Sequence, residues 1–346
     1  MIKLNTIELE ISNPCNEKCV HCYRTCSSTK KGFLSLDDVK NIFSQCKNIL
    51  AEKTSVTITG GEATLNPQWK EILAFVISKG CRTSLFTNGT LLKEDDVAFL
   101  AKYSQEQLKE VQISLYALDS QVHDAVTQLK GSFEKTMNAV NLLRKNNVPI
   151  FISCPAMQIN KNYFPDVMRW ADSEGIASCV DIFIFGTSDY TESNLCQRLS
   201  DEDLEVFFKT SLEDNGALSY VWGSEEKILL ETIPFYGGAV QSLCFSGDGS
   251  IFPMIGWYAY LGNIKDNNIE ALYLNHPLLQ KIRNIYASDF PECKKCDVSN
   301  YCNFCPSPHL CANNGELFKL DKEFCNYIHK KKNFIQRRDK VLSLKQ

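Results

Sequence analysis

The chain has 346 residues, a formal net charge of −4, and 44% hydrophobic against 23% charged residues, the balance of a globular protein long enough for about two domains. Lysines and arginines stay scattered until the carboxy terminus, which excludes a nucleic-acid footprint. No run approaches the ~18 apolar residues of a membrane span, and Met1-Ile2-Lys3-Leu4-Asn5 lacks the apolar core of a signal peptide. The sixteen cysteines then belong to a reducing, cytoplasmic compartment, where clustered thiols serve metals or catalysis more often than disulfides.

In chain order, strand-like runs near 5–11, 54–59, 82–87, 110–115, 148–153 and 179–185 alternate with apolar residues at helical spacing over 36–50, 67–79, 94–103, 133–146 and 162–174. A further helix over 201–213 is entered through Ser200, with Asp203 three residues on, close to a capping box. Repeated βα units predict a parallel sheet. No internal repeat or low-complexity stretch stands out.

The first strand, Thr6-Ile7-Glu8-Leu9-Glu10-Ile11, ends at Asn13-Pro14, so Cys15, Cys19 and Cys22 fall on the loop beyond its carboxyl end. Folds built on parallel strands bind ligands there. Three thiolates are one short of the four that normally hold a cubane iron-sulfur cluster. One iron would be left open to bind a small molecule and pass it an electron. The same thiols could hold zinc with a distant fourth ligand, or form a plain reduced loop.

With Cys-x3-Cys-x2-Cys at the end of strand one, the chain resembles the radical S-adenosylmethionine (SAM) enzymes, and the likeness runs over most of its length. Gly60-Gly61-Glu62 resembles the family's Gly-Gly-Glu motif, Thr87-Asn88-Gly89-Thr90 its polar end of strand three, and His123-Asp124 with Gly131-Ser132-Phe133 the order of its peptide-modifying branch. The resemblance implies a partial (β/α)6 barrel and a 4Fe-4S cluster whose open iron chelates SAM. By the same resemblance, Gly60, Gly61 and Glu62 receive the amino group of SAM, Thr87, Asn88 and Ser114 its ribose or carboxylate, and Tyr23 lies near the adenine. Taken singly, Asn88 and Ser114 are equally readable as loop or capping residues, and His21 as a surface residue. One departure is plain: the arginine usual after the His-Asp pair is missing from Ala125-Val126-Thr127-Gln128-Leu129-Lys130. Lys130 could replace its charge but not its bidentate geometry.

The second cysteine group follows the hairpin signal Asp248-Gly249. Cys244, Cys293, Cys296, Cys302, Cys305, Cys311 and Cys325 fall within about 80 residues, and on spacing alone the two Cys-x2-Cys pairs read as zinc or iron-sulfur ligands. The group resembles a SPASM domain, which carries auxiliary 4Fe-4S clusters. That resemblance implies Cys293, Cys296, Cys302 and Cys325 as ligands of an outer cluster, and Cys244 and Cys305 as contributors to an inner one. Met254 stands where the pattern has a cysteine, so the inner cluster would be three-coordinate, recruit Cys311, or be absent. Cys26 reads as incidental, and Cys46, Cys81, Cys154, Cys179 and Cys196 as packing residues.

The expected organisation is a barrel over 1–215, a linker over 216–243, a cysteine-rich SPASM-like domain over 244–328 and a terminal helix or tail over 329–346. The implied function is that of a maturase of ribosomally made peptides, installing a thioether or carbon-carbon crosslink. Rival readings are radical oxidation of the sulfatase-maturase or alcohol-dehydrogenase kind, peptide epimerisation, and a non-catalytic iron-sulfur or zinc-binding protein. The implied partners are a peptide substrate with a leader and an external flavodoxin- or ferredoxin-type electron donor. Because the chain begins almost at strand one, the leader is expected to bind the barrel or a separate protein.

Overall fold

The computed structural model describes residues 2–213, 240–286, 289–298, 302, 313, 315–316 and 319–343. Six parallel strands form the barrel wall: β1 (Leu4–Ser12), β2 (Leu50–Gly60), β3 (Arg82–Thr87), β4 (Leu108–Ser114), β5 (Ile150–Ser153) and β6 (Ala177–Cys179). Between and after them run α1 (Leu36–Cys46), α2 (Trp69–Ser78), α3 (Glu94–Leu100), α4 (Ser120–Thr127), α5 (Ser132–Lys145), α6 (Phe164–Ser173) and α7 (Asp201–Glu213). The sheet continues past β1 with β7 (Ser242–Phe245), which is parallel to it, and then the antiparallel β8 (Ser250–Phe252) and β9 (Gly262–Asn263).

Alternation along β1 decides which chemistry faces where. Ile7, Leu9 and Ile11 are fully buried in the main apolar core with Val39, Ile42, Phe43 and Cys46 of α1. Each such side chain contributes about 1.5–3 kcal/mol by leaving water. Glu8, Glu10 and Ser12 take the opposite face, so the inside of the sheet is polar. Helix α1 is started by a reciprocal cap in which Asp38 N–H donates to Ser35 Oγ at 3.0 Å and Ser35 N–H to Asp38 at 2.9 Å. The expected box at α7 forms likewise, with Ser200 Oγ donating to Asp203 at 2.9 Å.

Several boundaries differ from the sequence reading. The helix expected over 36–50 stops at Cys46, because Leu50 already pairs with Leu4 in the sheet. The strand expected over 179–185 lies at Ala177–Cys179. Beyond it the backbone leaves the sheet for other partners: Ala156 N–H donates to Asp181 O at 2.8 Å, Asn194 to Phe185 O at 2.7 Å and Arg198 Nε to Ile184 O at 2.8 Å. Helix α4, which had no strong apolar period, is set by the Asp119 carboxylate accepting from Gln121 and Val122 N–H.

Of the expected linker, residues up to 239 lie outside the described residues. Among the described residues four further helices follow: α8 (Ile269–Asn275), α9 (Pro277–Arg283), α10 (Pro291–Lys294) and α11 (Lys322–Ser343). Helix α11 packs on α7 through Phe208 and Phe334, whose rings lie 4.9 Å apart. Among the described residues, no helix is long and apolar enough to cross a membrane.

Candidate functional site

At the carboxyl ends of the barrel strands lies a cavity of about 390 Å³. Its wall contains Cys15, Cys19, Cys22 and Tyr23 from the loop after β1, Gly60, Gly61 and Glu62 after β2, Thr87 and Asn88 after β3, and Ser114 of β4. The barrel residues named from the sequence thus share one cavity. Sequence reading passed over Asp181 and Phe183, which line it too. Their signal was position, since they follow β6 at the same end of the barrel.

The cysteine loop is fixed by the backbone around it. Lys18 and Val20 N–H donate to Thr127 O and Val126 O at 3.0 Å each, and Cys15 N–H to Ser27 O at 3.2 Å. Cys22 Sγ accepts hydrogen bonds from the Cys26 thiol and from the N–H groups of Cys26 and Arg24, which bring its pKa down to about 6. Burial pushes Cys15 up to about 12, and burial with the nearby Glu17 carboxylate raises Cys19 well above the usual thiol range. A thiolate stabilised by N–H donors beside two thiols that lack positive charge suits a bound metal centre, which supplies that charge and displaces the protons. The three sulfurs do not gather within the 4.8 Å that would let them share one ion.

The glycines act on the cysteine loop. Gly61 N–H donates to Ser12 O at 2.6 Å and Glu62 N–H to Pro14 O at 3.0 Å. A Cβ on Gly60 would stand 2.3 Å from Ser12 O, and one on Gly61 2.4 Å from Pro14 O. Glu62 accepts from Thr64 N–H at 2.9 Å, the Thr64 and Thr87 hydroxyls at 2.6 Å each, and Asn88 N–H at 2.8 Å. Both its oxygens are therefore engaged in tying β2 to β3. Asn88 in turn donates to Asn16 Oδ1 at 3.0 Å and accepts from Thr90, and Ser114 bonds the Tyr116 hydroxyl. These residues shape the cavity by holding one another.

The His-Asp pair also has an internal task. Asp124 accepts from Gly131 N–H, Ser132 Oγ and Phe133 N–H, which start α5, while His123 Nδ1 accepts from Tyr116 N–H at 3.3 Å. Thr127 stands in the segment that lacks the arginine, its hydroxyl 2.7 Å from Ser132 Oγ. Lys130 is exposed and away from the cavity wall. His21 is half-buried, edge-on to Tyr116, and held neutral with its pKa lowered to about 4 by loss of hydration.

In the carboxy-terminal region Cys293, Cys296, Cys302 and Cys325 come together. Cys302 is raised to about 12 by burial and by the other three thiols, and Cys293 to about 12 by burial, Cys325 and Cys296. Four thiols are the number that normally holds a cubane. Cys244 is placed differently. It lies opposite Glu8 in the sheet, fully buried, with Glu10, Glu8 and Arg24 as its charged neighbours. Burial lifts Glu8 to about 7, and Glu10 is ion-paired with Arg24 at 2.9 Å. Met254 packs against the main core and bridges to Trp257. These surroundings do not fit the expected inner cluster at Cys244, because two buried acids face the sulfur. Cys305 and Cys311 lie outside the described residues.

Residues 9–171 match the family model "Radical SAM superfamily". The chain carries a radical SAM domain over that span. Among curated relatives, it is 26% identical over 323 residues to the Bacillus subtilis antilisterial bacteriocin subtilosin biosynthesis protein AlbA, covering 86% of this chain and 66%, just under two thirds, of that one. It is 25% identical over 329 residues to an AdoMet-dependent heme synthase of Methanosarcina barkeri, covering 88% and 89%. The B. subtilis sporulation killing factor maturation protein SkfB is 28% identical over 167 residues, or 48% of this chain and 39% of its own length. Among solved structures, native anSMEcpe with bound AdoMet and Cp18Cys peptide superposes with a TM-score of 0.73 at 20% identity, covering 99% of each chain. Streptococcus suis SuiB bound to precursor peptide SuiA gives 0.68 at 16% identity, covering 92% and 75%. At these identities the structural likeness is one of fold, and it includes the region beyond the radical SAM barrel.

Proposed function

We propose that this radical SAM enzyme modifies a ribosomally made peptide, taking a hydrogen from one of its carbons and installing a thioether or carbon-carbon crosslink. The observation that carries the reading is the convergence of the three-cysteine loop, the Gly-Gly-Glu brace and the ends of β3, β4 and β6 on one open cavity. When bound, a 4Fe-4S cluster and SAM supply the 5′-deoxyadenosyl radical. Cys15, Cys19 and Cys22 would hold that cluster, and Cys293, Cys296, Cys302 and Cys325 an auxiliary one. The chain's own part is to orient the ligand and exclude water. The Gly60-Gly61-Glu62 segment fixes the cysteine loop, Tyr23 offers a ring to the adenine, and Ser114 closes the floor beside Tyr116.

The likeness to AlbA and SkfB, and the peptide complexes of anSMEcpe and SuiB, support a peptide substrate. The reading puts the enzyme in the cytoplasm with an external low-potential electron donor of the flavodoxin or ferredoxin type, and with a leader on the substrate peptide. One observation favours a second reading: the heme synthase relative is matched over nearly its whole length, so a non-peptide substrate is the rival.

The test is anaerobic reconstitution with iron and sulfide, followed by SAM and dithionite. Wild type is expected to form 5′-deoxyadenosine, and Cys19→Ala to lose both this activity and about four irons per chain. Undiminished deoxyadenosine from the variant would overturn the site assignment. Co-expression with the short peptides encoded beside the gene, read by mass spectrometry, tests the substrate class. A crosslink removes two hydrogens and joins two residues in fragment spectra, and epimerisation leaves the mass unchanged.

A further inference from the structure

We propose that Asp181 is the base that takes the substrate's proton in this cavity. The inference rests on the peptide-modifying reading and adds to it the fate of the second hydrogen. In making a thioether from a carbon–hydrogen and a sulfur–hydrogen bond, the deoxyadenosyl radical carries one hydrogen atom away from carbon. The new carbon–sulfur bond forms as the S–H bond breaks, releasing one proton and leaving one electron in excess. The proton goes to an Asp181 oxygen and the electron to an oxidised iron-sulfur centre.

Three observations select Asp181. It opens onto the cavity just beyond β6, its main chain pinned by Ala156 N–H at 2.8 Å. Its carboxylate has no hydrogen-bond or ion-pair partner among the described residues. Of the other acids lining the cavity, Glu62 accepts four donors and Glu17 lies against Cys19 at 3.3 Å inside the cluster loop. The cations of the wall are also engaged or neutral, since Arg24 is paired with Glu10 and His21 is uncharged. The residue stays open to solvent on one side, and partial loss of hydration raises its carboxyl above the usual carboxylate range, which makes it the stronger base.

The neighbouring residue gives the electron a path. Phe183 lines the same cavity and also packs in the apolar cluster that contains Cys296 and Cys302. Arg198 holds that ring, its guanidinium 4.1 Å above it while bonding Asp321 at 2.8 Å. Phe183 therefore belongs both to the cavity wall and to the apolar cluster against which two of the outer cysteines pack. Proton and electron leave through two residues of one short segment, with no step at Cys244.

The probe is the set of short peptides encoded beside the gene, made in deuterium oxide so that their carbons carry deuterium. The holoenzyme is reacted with SAM and dithionite. Deuterium in 5′-deoxyadenosine reports hydrogen abstraction, and peptide mass and fragmentation report the crosslink. Asp181→Asn is expected to leave labelled deoxyadenosine within about twofold and to cut crosslinked peptide per deoxyadenosine by about a hundredfold, the low end of what a general base supplies. Asp181→Glu should regain part of the ratio. An unchanged ratio in Asp181→Asn overturns the proposal and leaves the peptide reading intact. A parallel fall of label and product overturns it in favour of substrate binding by Asp181. Unlabelled deoxyadenosine from wild type with every peptide would remove the peptide reading and this proposal together.

Discussion

Replacing Glu62 by glutamine separates two roles that the sequence motif alone leaves joined. Were the carboxylate held free for the ammonium of SAM, Glu62→Gln would weaken SAM binding and leave the fold alone. Here both oxygens accept buried donors, Oε1 from Thr64 and Thr87 and Oε2 from Asn88 N–H at 2.8 Å. With one oxygen turned to NH2, at best one side of the motif keeps its acceptor. If the amide group replaces Oε2, it points at Asn88 N–H and leaves that buried donor unpaired, at a cost of about 1–3 kcal/mol. Loss of charge assistance weakens the remaining bonds, so a total of about 2–3 kcal/mol is expected. At ~2–4 °C per kcal/mol for a domain of this size, the melting midpoint should fall by about 5–10 °C. The measurement is thermal unfolding of the apo protein, read by circular dichroism beside wild type. A midpoint within about 1 °C of wild type, together with lost SAM binding, would refute the bracing role.

Replacing Cys293 and Cys296 with serine should remove about four irons per chain while leaving deoxyadenosine formation in place, because the Cys15 loop is untouched; unchanged iron would return the outer thiols to zinc or to packing. Met254→Leu should cost under ~1.5 kcal/mol in urea unfolding and leave iron content unchanged, as for a volume-conserving core swap; loss of iron would make Met254 part of a metal shell. Burial holds His123 neutral with a pKa lowered to about 4, below its ordinary value of 6.5. The unfolded chain therefore takes the proton first as pH falls, so the stability this residue contributes is fully present above pH ~6.5 and drains away toward pH ~4, by about 3 kcal/mol. Urea unfolding from pH 7 to 4 measures it, and His123→Asn should flatten that part of the slope; an equal slope in the variant would assign it elsewhere.

The barrel was legible because its signals are local. Alternation in Thr6–Ile11 and a proline after Asn13 place the cysteine loop at a strand end without knowledge of anything distant. What escaped depends on long-range partners. Asp181 looked like one polar residue in a predicted strand, and only the diversion of residues after Cys179 toward Asn194 and Arg198 turns it into a cavity wall. Cys244 is a related case. Its spacing matched a ligand pattern, but parallel pairing on β1 sets it against Glu8, a fact carried by register and invisible in spacing. The roles of Glu62 and Asp124 were half legible, since the motifs flagged the right residues while their hydrogen bonds direct them to the backbone.

Asn13 reaches across the molecule in a way that bears on how the protein can be divided. Its Oδ1 accepts from Arg24 at 3.1 Å, Ser246 Oγ at 2.9 Å and Gly247 N–H at 3.1 Å, two residues before Cys15. The turn after β7 is thus latched to the root of the cysteine loop, and β7 itself hides the edge of β1 that would otherwise present open backbone groups. The carboxy-terminal region is for this reason no detachable attachment. A protein cut after α7 would uncover a parallel strand edge and release the cysteine loop. Exchange of the cysteine-rich region between relatives would have to carry the Asn13–Ser246 pairing with it.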